Sequence, residues 1–102
     1  MLNEVAAKLV EVFFHSNKEH AAIVGWAYLS NAPLEASTAV LLDYLRLSPE
    51  QWQQVSEEDS AELRKWFHRH QREDFAQGRI VKIHGYMLSE TEARFCALAA
   101  LV

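Results

Sequence analysis

Apolar residues recur at Leu2, Val5, Leu9, Val12 and Phe13, the spacing of one helical face, so the chain opens with an amphipathic helix. His15-Ser16-Asn17-Lys18 interrupts it. A second helix, Lys18 to about Leu29, is apolar nearly all round: Ala21, Ala22, Ile23, Val24, Gly25, Trp26, Ala27 and Leu29. An all-round apolar helix belongs in the centre of a fold. Gly25 costs about 1 kcal/mol in mid-helix relative to alanine, which points to a close crossing against another helix.

Ser30-Asn31-Ala32-Pro33 reads as a loop, with Pro33 suited to a first helical turn. Leu34, Thr38, Leu41, Leu42 and Leu45 then mark a third helix. Ser48 can cap the next start, Pro49 fits its first position, and Trp52 and Val55 supply apolar anchors. Ser56, followed by Glu57-Glu58-Asp59, is a further start signal. It opens the longest helix, which runs to about Gln77 and is ended by Gly78.

The pattern then changes period. Arg79 to Ile83 alternates as a strand does, and Tyr86 to Leu88 resumes after His84-Gly85. That predicts a hairpin at about 79–88 with a two-residue turn. Ser89 stands three residues before Glu92 in the spacing of a capping box. A last helix at about 90–101 follows, with Ala93, Cys96, Ala97, Ala100 and Leu101 inward. The prediction is one mainly α domain over 1–102: a bundle of five or six helices with one small β-hairpin before the C-terminal helix.

Composition narrows the function classes. The 102 residues are half apolar and 24% charged, so a core forms and one domain is expected. Net charge is −4, and the basic run from Arg64 to Arg72 is preceded by Glu57, Glu58, Asp59 and Glu62. Acids early and bases late is the order a helix dipole favours, so the run reads as a solvated helix face and no nucleic acid is expected as partner. No apolar run approaches the ~20 residues of a membrane span. The first residues lack the basic end and solid apolar block of a signal peptide. A cytoplasmic location is expected as the chain is written, and a periplasmic one if a signal was removed.

Candidate chemistry concentrates in the long helix. Leu63, Trp66, Phe67 and His70 share one stripe, and Asp74 lies a turn beyond His70 on it. An aspartate accepting from an imidazole is the arrangement of catalytic triads and metal second shells, and equally of a structural pair at a helix end. His68 lies on the opposite face, so His68 and His70 cannot ligate one metal. Cys96 is the only cysteine and sits among alanines as a core residue. No spacing of Cys or His makes a closed metal site, and no phosphate-binding or nucleophile motif is present, so no cofactor is expected. Three Trp and an aromatic content of 11% exceed what so small a core needs. Trp52, Tyr28 and Tyr86 are therefore candidates for a binding face, engaging a protein partner or a second copy.

Asp74, Phe75, Gly78, Gly85, Tyr86, Leu88, Ser89, Thr91, Glu92, Ala93, Arg94, Cys96, Ala97 and Leu98 form a further pattern over about a quarter of the chain. It resembles the C-terminal segment of small bacterial proteins, many made with twin-arginine export signals. Tyr86 stands where that pattern has Trp. The resemblance implies no catalytic residues. It suggests an accessory role, as taken by some small exported proteins that accompany periplasmic oxidoreductases. The two expectations are thus a non-catalytic interaction or accessory protein, and an enzyme or metal-binding protein using a site centred on His70 and Asp74.

Overall fold

The computed structural model describes residues 2–52 and 55–102. Six helices are present among them: α1 (Leu2–Phe14), α2 (Lys18–Asn31), α3 (Thr38–Tyr44), α4 (Pro49–Trp52), α5 (Ser60–Gln77) and α6 (Glu90–Leu101). Strands β1 (Ile80–Ile83) and β2 (Tyr86–Ser89) form the hairpin between α5 and α6. The Cα radius of gyration is 12.6 Å, close to the ~13 Å of one compact 100-residue unit.

Local side chains set the helix starts and stops. The Ser37 side chain accepts from Val40 N–H at the start of α3, and Ser56 and Asp59 make a reciprocal capping box before α5. Gly78 ends α5 with φ 73°. His84 and Gly85 both have positive φ (52° and 84°), and Ile83 pairs with Tyr86 across them. That is the geometry of a type I′ hairpin turn, whose right-handed twist matches the strands.

Three expectations change. The helix predicted from Leu34 is a 3-10 turn, Pro33–Glu35, followed by a break before α3, and Leu34 is 93% exposed. The central helix is α6, not α2. Phe95, Ala97 and Leu98 are fully buried, and α6 packs against α1, α2, α3, α5 and the hairpin. Phe95 anchors an aromatic cluster, with ring centroids 4.7 Å from Phe13 and 5.7 Å from Phe14. On the last helix, Ala100 and Leu101 are only half-buried.

α2 is buried on one side alone. Ala21, Gly25, Tyr28 and Leu29 face inward, whereas Ile23 and Trp26 are 60% and 55% exposed. The inward side makes a close backbone crossing with α6. A Cβ at Gly25 would overlap the carbonyl oxygen of Cys96 and stand 2.8 Å from Ala97 Cα. Gly25 thus brings the backbone of α2 onto that of α6, and the apolar residues of its outer side are left without a covering element.

Candidate functional site

The site residues expected from sequence divide in the fold. Asp74 is buried, but it does not bond His70. Its Oδ1 accepts from Arg79 Nε at 2.9 Å, and its Oδ2 from the backbone N–H of Thr91 at 2.7 Å. Burial alone would raise its pKa, yet the bonds from Thr91 and Arg79 outweigh it and hold the carboxyl below its ordinary range. The reason is position: Asp74 stands where α5 ends, and the backbone turn at Gly78 brings Arg79 and the start of α6 to it. His70 instead stacks on Trp66, with centroids 4.5 Å apart. Its pKa is lowered, first by burial and then by the Arg69 charge.

Asp74 thereby completes the N-terminus of α6. The N–H of Glu90 donates to Arg79 carbonyl, that of Thr91 to Asp74, and that of Glu92 to Ser89 Oγ. Three of the four amides that a helix start leaves open are satisfied by the end of α5 and the hairpin.

Of the expected binding face, only Tyr86 is exposed, at 72%. Trp52 belongs to the core beside Val55. Tyr28 is buried too. Its hydroxyl donates to Glu35 Oε1 at 2.7 Å, the same oxygen that accepts from Arg94 Nε at 3.0 Å. Arg94 also pairs with Glu90 at 3.5 Å, and its guanidinium lies 4.2 Å from the Tyr44 ring centroid. Burial, and then the bond to Glu35, push the Tyr28 hydroxyl up to about 12. Tyr28, Glu35 and Arg94 are joined in one network, which ties the Pro33–Glu35 turn to α6.

A concave apolar feature lies elsewhere. A half-open groove of about 500 Å³ runs between α2, the hairpin and α6. Val24, Ile83 and Leu88 give it apolar walls, Ile23 and Tyr86 stand exposed along it, and His20 and His84 are at its rim. Volume and lining are those of a binding cleft. Two α6 residues bring polarity to it: Glu92 and Cys96, one turn apart.

Glu92 is half-buried. Its Oε1 accepts from Gln71 Nε2 at 3.3 Å, and among the described residues it makes no ion pair. Burial raises its pKa, opposed only by the Gln71 bond. Only half of the expected capping box forms. Ser89 Oγ caps Glu92 N–H, while the carboxyl turns to Gln71 and the groove. Cys96 is buried, and desolvation, followed by the nearby Glu92 charge, drives its thiol up to about 12. That thiol carries almost no thiolate at neutral pH and is no nucleophile.

The Ser89–Glu92 spacing alone gave no signal that the carboxyl would line a groove. Among the described residues no three of His, Cys, Asp and Glu gather as a metal site, and no helix is long and apolar enough to cross a membrane. Comparison with protein-family profiles, curated proteins and solved structures finds no match to this chain.

Proposed function

We propose that this chain is a non-catalytic interaction protein that engages a protein partner through the groove between α2, the hairpin and α6. One observation carries the reading. α2 is apolar on every side yet buried on only one, and its outer residue Ile23, with Tyr86 of the hairpin, flanks an apolar cleft. Exposed apolar surface around a concave site is the signature of a recognition face. An accessory role fits such a face. The competing reading, an enzyme or metal site at His70 and Asp74, is weakened because both Asp74 oxygens are committed to Arg79 and Thr91.

Site-specific photo-crosslinking in the native host tests it. Photoreactive residues at positions 23 and 86 should trap the same protein, while one at Ala61 on the exposed side of α5 should not. The adduct should disappear in the Val24→Asp variant, provided that the variant remains folded. An adduct with a second copy would make the protein self-associating. The same adducts from position 61, or none from 23 and 86, would overturn the assignment.

A further inference from the structure

Glu92 is the acid of the groove, and its environment is unusual for an acid. It is half-buried, lies beside apolar walls and has one neutral donor, Gln71, as its hydrogen-bond partner. A carboxylate withdrawn from water ordinarily gains a cation or several donors. Among the described residues no cation pairs with Glu92: Arg94 bonds Glu35 and Glu90, and Arg79 bonds Asp74. The groove thus presents an acid with no cation of its own among the described residues.

The interaction reading above supplies the setting for this inference. We propose that the partner inserts a lysine side chain into the groove, its methylene stem against Val24, Ile83 and Leu88 and its ammonium on Glu92. Lysine fits better than arginine for two reasons. Gln71 already uses part of Glu92 Oε1, and the compact ammonium needs only the one remaining oxygen, whereas a guanidinium would have to share Oε1 with Gln71 to bind in its two-pronged mode. A lysine also buries a flexible apolar stem and carries a compact charge at its tip, matching a cleft that is apolar along its walls and acidic at one point.

The raised pKa of Glu92 in the free protein agrees with an acid awaiting a cation. A cation on the carboxylate would oppose that rise and favour the ionised form. Asn17, His20 and His84 of the lining, Cys96 on α6 and Gln71 on α5 are the other polar residues nearby. None of them carries a permanent positive charge that would repel the ammonium.

Methyl NMR of the full chain tests the proposal with defined probes. The first is a short capped peptide, Leu-Ala-Lys-Ala-Leu; the others carry norleucine or glutamate in place of lysine, and n-hexylamine serves as a free amine. The lysine peptide should shift the Ile23, Val24, Ile83 and Leu88 methyl signals saturably. It should bind about tenfold tighter than the norleucine peptide and tighter still than the glutamate one. In the Glu92→Gln variant, which keeps the shape of the side chain, the lysine and norleucine peptides should bind equally.

Equal binding of these two peptides to the unaltered protein would overturn the lysine assignment while leaving an apolar recognition groove in place. No saturable shift with any probe would overturn the lysine assignment, and the crosslinking experiment would then decide separately whether the groove is a docking face at all. Binding of n-hexylamine as tight as that of the lysine peptide would assign the groove to free amines and overturn the partner.

Discussion

The carboxylate of Asp74, at the end of α5, receives the backbone N–H of Thr91, the second residue of α6, at 2.7 Å. A residue of one helix thus caps another, seventeen positions away in sequence. The Arg79 bond and the αL turn at Gly78 hold the cap in place.

Asp74→Ala should therefore cost about 1–3 kcal/mol of folding stability, because it leaves a half-buried amide at the start of the central helix without its acceptor. His68→Ala, at an exposed position, should cost almost nothing. Urea unfolding of both variants measures the contrast. A cost for Asp74→Ala no larger than that for His68→Ala would show that the cap carries no weight.

The same residue sets an acid limit. Its folded pKa is depressed below the ordinary 3.8, so the unfolded chain takes up its proton first as pH falls. The contribution is fully present above about pH 4 and is lost as pH drops through the folded value. Asp74→Asn should flatten the stability profile below pH 4. An acid limb equally steep in variant and unaltered protein would place that dependence on other carboxyls.

Gly25→Ala tests the helix crossing. On an isolated helix the change would stabilise by about 1 kcal/mol. Here the added methyl meets the backbone of Cys96 and Ala97, which cannot rotate away. The helices must separate, at a cost of about 3 kcal/mol or more. Unchanged thermal stability would mean that α2 and α6 do not approach so closely.

His84 occupies a left-handed backbone position that asparagine adopts more readily. His84→Asn should raise stability by about 0.5–1 kcal/mol, seen as a higher unfolding temperature. A loss instead would point to a contact of the imidazole itself.

Cys96 should resist thiol reagents in the folded protein and react at least ~100-fold faster in urea, because burial suppresses both access and ionisation. Rapid labelling of the native chain at neutral pH would contradict the closed packing of α2 on α6.

The legible part of this fold was local. Ser56, Gly78, His84-Gly85 and Ser89 act through their nearest neighbours, and each structure they specify appears where the sequence places it. The close-crossing role of Gly25 was also legible, because a mid-helix glycine among apolar residues has few other uses. The remaining features depend on what packs against what. Nothing in the periodicity of α2 and α6 says which of two apolar helices takes the centre. Asp74 and His70 do share a stripe, but a stripe does not reveal that Arg79 and Thr91 will reach the acid first. The orientations of Tyr28 and Trp52 were hidden for the same reason: an aromatic residue looks alike in sequence whether it fills a core or lines a surface. Glu92 carried a local signal, the capping box, and the tertiary fold used its carboxyl for something else.

Phe95 and Leu98, the hub around which the other helices gather, lie some twenty residues beyond the end of α5. During synthesis from the N-terminus, α1 to α5 emerge before the helix that most of them pack against. Gly25 then has no backbone to meet, and Leu9, Leu41 and Leu63 have no shared centre to fill. The core of this domain is therefore completed only once α6 is available to it. Until then its apolar surface is open to chaperones or to association with other chains.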